Sequence, residues 1–147
     1  MSDDGRPAPP VTSPSIVVLT MARRIENELG SALAPLGLTV SRLGLLGHIS
    51  GVPGASYSDL ARMSGITVQS VHAAVKALVA AGLVHDHTVR AGSASVIELT
   101  PDGSRLLQAA TDVVGEVDER LFGPAADPLQ RRLGQAVLAA FTGESAG

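Results

Sequence analysis

No cysteine occurs in the sequence, which excludes disulfides, zinc fingers and thiol-based redox sensing. Aromatics are almost as scarce. Tyr57, Phe122 and Phe141 are the only three, too few for the stacking platforms on which single-stranded nucleic acids are read. Lys76 is the only lysine, and the formal net charge is −3, which argues against a general polyanion binder. No apolar run is long enough to span a membrane, and the opening MSDDGRPAPP has no basic, apolar signal pattern. The expectation is a cytoplasmic protein with no membrane partner. Enzyme signatures are missing too: no Gly-x-Ser-x-Gly, no phosphate loop with Gly-Lys-Ser/Thr, no His-Glu-x-x-His. No catalytic residue, cofactor or metal is expected.

What is present is enough chain, 147 residues, for one domain with a real core. Residues 1–13 are Pro-, Ser- and Asp-rich without periodicity and read as a disordered arm. Residues 14–147 read as a single domain. Its charge is unevenly spread: residues 101–147 hold four basic and seven acidic groups, whereas residues 56–100 hold three of each. Within a Debye length of about 8 Å, local placement outweighs the total.

The stretch from Ser56 to Thr100 organises the rest. Ser56 and Asp59 form a Ser-x-x-Asp helix start, Gly65 supplies the small residue of a tight turn, and Thr67 can cap a second helix. At about 100° per residue, Val71, Ala74, Val75 and Leu78 fall on one side of that helix, and Gln69, His72, Ala73 and Lys76 on the other. Gly82 ends it as a left-handed residue would. Leu83-Val84 and Ile97/Leu99 then give two short strands around a tip at Arg90-Ala-Gly-Ser-Ala.

On either side the pattern is helical. A helix over 15–34 carries Val18, Met21, Ile25, Leu29 and Leu33 in register, and its opening IVVL is apolar almost all round. That invites cover by a partner helix, the alternative being a place in the monomer core. Thr39 caps a helix to about Ser50 that holds Gly44 and Gly47. Each costs nearly 1 kcal/mol against alanine there, so they mark either close helix crossing, the favoured reading, or room for a small molecule. Gly51-Val-Pro-Gly reads as a turn. Thr100-Pro101-Asp102 starts a helix over 101–122, Gly123-Pro124 breaks it, and Asp127-Pro128 starts the last, over 127–142. The acidic groups Asp112, Glu116, Asp118 and Glu119 spread around their helix as a solvated face.

The run YSDLARMSGIT, then VHAAVKALVAAGLV, then VIELTPDG resembles the winged helix-turn-helix of the MarR family of bacterial transcription regulators. The landmarks are Leu60-Ala61, Gly65-Ile66, Leu78, Gly82-Leu83-Val84 and Leu99-Thr100-x-x-Gly103, and the flanking helices fit in number and length. The resemblance implies a mainly α-helical (α+β) winged helix-turn-helix head over about 56–100. The N- and C-terminal helices would form a dimerisation layer. It also implies a homodimer that binds double-stranded DNA at a pseudo-palindromic site, commonly as a repressor, and responds to a small-molecule effector. An alternative is a winged-helix module that contacts protein and binds DNA weakly or not at all.

Under that resemblance the DNA-facing candidates are the helix start and outer face: Thr67, Val68, Gln69, Ser70, His72, Ala73 and Lys76. Gln69 can pair bidentately with adenine, Val68 can touch a thymine methyl, and Ser70 and His72 can each make one base or phosphate bond. Arg62 on the preceding helix and Arg90 and Ser93 in the wing complete the set. Family members often carry arginine where this chain has Ala73, an Asp-x-Arg signature in the wing, and arginine near Asp86. With about six phosphates neutralised per dimer, the expected salt slope is about −5. The effector crevice in such proteins lies beside the second helix, so Arg42, Gly44, Gly47 and His48 are candidates to line it. His85-x-His87 would place two imidazoles on one side of a strand, half a metal site with no local third ligand, and reads as surface histidine.

Overall fold

The computed structural model describes residues 13–87 and 96–143. The first helix, α1 (Pro14–Leu33), starts on a proline at its first position and gives way to a 3-10 turn over Ala34–Leu36 that closes on Gly37. Thr39 caps α2 (Val40–Gly51), its hydroxyl accepting from the Arg42 N–H at 3.2 Å. The helix runs one residue past Ser50, taking in Gly51 from the expected turn.

The head follows. Ser56 and Asp59 make a reciprocal capping box at the start of α3 (Tyr57–Ser64): each backbone N–H donates to the other's side chain at 3.0 Å. Gly65 takes the left-handed conformation (φ 68°) that turns the chain into α4 (Val68–Ala80), where the Thr67 hydroxyl accepts from the Ser70 N–H. Gly82, at φ 73°, ends the helix as expected. Two strands, β1 (Val84–Asp86) and β2 (Ile97–Leu99), pair antiparallel with Val84 opposite Leu99 and Asp86 opposite Ile97. Leu83 is not part of β1. Its N–H donates back to the Leu78 carbonyl at 3.0 Å, which makes it the closing residue of α4.

Thr100 caps α5 (Pro101–Phe122), and the Asp127 carboxylate caps α6 (Pro128–Thr142) by accepting from Leu129 and Gln130. The core lies where α2, α3, α4 and the small sheet meet, built on Leu33, Leu45, Leu46, Leu60, Val71, Val75, Leu78 and Val84. Helix α5 packs on both α1 and α2, joining this core to the outer helices. The outer helices are poorly covered. Helix α6 buries no residue, leaving Phe141 88% and Leu138 67% exposed, and α1 buries only Leu33 while Ile16 stands 60% exposed. The monomer core therefore does not absorb the IVVL segment. No single helix among the described residues is long and apolar enough to cross a membrane.

Candidate nucleic-acid interface

The two faces of α4 separate as its periodicity requires. Val71, Val75 and Leu78 are fully buried, Ala74 is half-buried, and Gln69, His72, Ala73 and Lys76 are exposed. Burial of the valine and leucine side fixes the helix against rotation, so the outer face is the only one a groove could meet. Val68 and Thr67 are exposed at the helix start beside Gln69. Thr67 uses its hydroxyl twice, accepting the Ser70 N–H at 3.1 Å and donating to Ser70 Oγ at 2.8 Å. The helix start is thereby pre-formed before any ligand arrives.

Arg62 is exposed and pairs with Asp59 at 2.8 Å. Such an exposed pair is worth little, so the guanidinium can exchange its partner for a phosphate at small cost. Arg90 and Ser93 lie outside the described residues.

Two residues that the sequence did not single out complete this surface. The Tyr57 ring stacks on the His72 imidazole with centroids 3.8 Å apart and planes 15° from parallel, and the Tyr57 hydroxyl donates to Asp86 Oδ2. Burial, reinforced by the hydrogen bond to the Asp86 carboxylate and by its charge, pushes the Tyr57 phenol up to about 12. It therefore stays a donor at any physiological pH. Together Tyr57, His72, Ala73, Val75, Lys76, Val79 and Asp86 line an open recess of about 370 Å³ between α3, α4 and β1. Contacts 15 and 29 residues apart carry no local signal, which is why spacing could not find them.

Elsewhere on the head, the Asp59 carboxyl is held below its usual range, first by the Ser56 N–H that donates to it, then by the Ser56 hydroxyl and Arg62. His85 and His87 do share a side, with ring centroids 5.3 Å apart. Among the described residues no group of three or more His, Cys, Asp or Glu could hold a metal ion.

The effector candidates on α2 are less coherent. Gly44 and Gly47 are exposed, and a Cβ on either would meet nothing within 4 Å, so close helix crossing within the chain is not their role. Helical spacing groups them with half-buried His48, while exposed Arg42 falls about half a turn away.

Comparison with known proteins bears directly on this head. A sequence profile of the MarR family matches residues 36–91. The HTH-type transcriptional repressor Rv2887 of Mycobacterium tuberculosis is 34% identical over 108 residues, covering 73% of this chain and 78% of that protein. The chain belongs to the MarR family. Solved structures of MarR family members agree. Rv2887 in complex with DNA superposes with a TM-score of 0.71 at 27% identity, over 88% of this chain and 98% of that one. Rv2887 in complex with p-aminosalicylic acid gives 0.70 at 26% identity over the same shares. This MarR family chain is thus a winged-helix protein whose relatives are transcriptional regulators rather than enzymes.

Proposed function

We propose that this MarR family protein is a cytoplasmic, homodimeric repressor that binds a pseudo-palindromic site in duplex DNA. One observation carries the reading: α4 is locked by its buried valines and leucine with Gln69, His72, Ala73 and Lys76 turned outward. Docked in the major groove, Gln69 would read adenine, Val68 would approach a thymine methyl, and Lys76 and Arg62 would meet phosphates. Recognition helices of the two subunits would enter successive grooves about 34 Å apart. The uncovered apolar faces of α1 and α6 supply the surface that a second subunit would bury.

Rv2887 has been solved both with DNA and with p-aminosalicylic acid, which supports a small-molecule effector here as well. Its candidate lining is the face of α2 at Gly44, Gly47 and His48, from which Arg42 is turned about half a turn away. A ligand that favours a head spacing unlike that of the DNA-bound dimer would release the operator. The test is a titration of the promoter DNA of its own or a neighbouring gene. Gln69→Ala should relax sequence preference, and Lys76→Ala should weaken all duplexes alike.

A further inference from the structure

An imidazole on a helix surface normally samples several rotamers, and ordering it on binding costs entropy. His72 is not in that position. Its ring lies flat on Tyr57, Tyr57 stands at the first residue of α3 with its body packed on the core, and its hydroxyl is tied to Asp86 on β1. Three elements from three parts of the chain therefore converge on one side chain of the outward face. Gln69 and Lys76, also on that face, carry long flexible stems, and among the described residues the ring stack on this face is that of Tyr57 on His72.

We propose that Tyr57 is a positioning residue for sequence reading: by stacking on His72 it holds the imidazole in one orientation, so that a ring nitrogen of His72 selects one base edge in each half-site. The proposal rests on the duplex-reading function above and adds to it a specificity contact and the residue that sets it. Tyr57 itself touches no base. Stacking occupies one face of the imidazole and leaves its nitrogen-bearing edge as the part able to form a directional bond. A hydrogen bond from a held ring discriminates between bases, whereas a swinging ring would satisfy several.

The experiment has two readouts on the intact chain. In the first, the His72 ring protons are followed by NMR without DNA. The tyrosine face should shift them upfield in the wild type and in Tyr57→Phe, which keeps the ring. In Tyr57→Leu, which keeps apolar bulk against the core, the shift should vanish. In the second, each protein selects from a pool of randomised duplexes and is then titrated with the chosen site and its single-base variants. Tyr57→Leu and His72→Ala should lose discrimination at the same base pair of each half-site, by about fivefold or more. Affinity for a scrambled duplex should fall by less than affinity for the chosen site, and Tyr57→Phe should keep the preference.

Unshifted His72 protons in the wild type would overturn the positioning role without any variant. So would a Tyr57→Leu protein that retains the preference His72→Ala destroys. A wild-type chain that enriches no sequence would instead sink the duplex-reading function, and this proposal with it, so the two failures are told apart.

Discussion

Gly103 sits so close to Leu83 that a Cβ built on it would lie 2.0 Å from the Leu83 carbonyl oxygen. That same oxygen accepts the Thr100 N–H at 3.0 Å, and the Thr100 hydroxyl donates to the Gly82 carbonyl at 2.7 Å while accepting the Gly103 N–H. The first turn of α5 is thus pressed against the point where α4 hands over to β1. Any tilt of α5 would be felt at the end of the outward-facing helix, because backbone on backbone leaves no soft side chain between them.

Gly103→Ala should therefore cost about 3 kcal/mol, the upper end for overpacking, since the clash is with main chain and not with a movable side chain. Chemical denaturation of the variant against the wild type measures it. A loss under about 0.5 kcal/mol, the range of ordinary surface substitutions, would contradict the close contact of α5 with Leu83.

The capping box on α3 makes a second prediction. Ser56→Ala should lower stability by about 1 kcal/mol. Because the Asp59 carboxyl is held below its usual value, its contribution is present above that usual range and is lost as the pH falls through the lowered one. Acid unfolding followed by circular dichroism should show Asp59→Ala flattening the stability profile at low pH. An unchanged profile would contradict the bonded carboxylate.

Tyr57 is the only tyrosine, so its ionisation can be followed directly by phenolate absorbance. The midpoint should lie near 12 instead of 10.0. Since the folded chain favours the neutral phenol, the associated stability is present below pH 10 and lost as the pH rises towards 12. Asp86→Asn should bring the midpoint down, by removing a charge that opposes phenolate. A midpoint near 10 in the folded wild type would deny the contact.

Much of this was readable from sequence because it is local. The Ser56–Asp59 box, the Thr67 and Thr100 caps, the left-handed Gly65 and the apolar side of α4 each depend on residues within one or two turns, and they appear where spacing places them. What failed was tertiary. Gly44 and Gly47 read as crossing points, yet they face away from the core, and a helical glycine looks the same in sequence whether it is crowded or bare. Leu83 read as strand because its apolar side chain suits one, while its N–H is spent closing α4. The Tyr57, His72 and Asp86 assembly joins α3, α4 and β1 and had no periodic signature at all.

The outer helices predict the assembly. Phe141 and Leu138 lie on a face of α6 that the chain leaves open, and Ile16 and Val18 at the start of α1 are exposed as well. Placing a charge there, as in Phe141→Asp or Leu138→Asp, should convert a dimer to single chains in sedimentation without unfolding the head. If the wild type already sediments as one chain at micromolar concentration, the paired-head arrangement is wrong.

The most direct test of the central claim is fluorescence-anisotropy titration of wild type, Gln69→Ala and Lys76→Ala against a duplex from the adjacent promoter, at several salt concentrations. The account predicts saturable binding by the wild type with a log–log salt slope of about −5. Lys76→Ala should make that slope shallower by about two per dimer, and Gln69→Ala should bind promoter and scrambled duplex more nearly alike. No binding by the wild type at low salt, or binding that neither substitution alters, would contradict α4 as the reading helix.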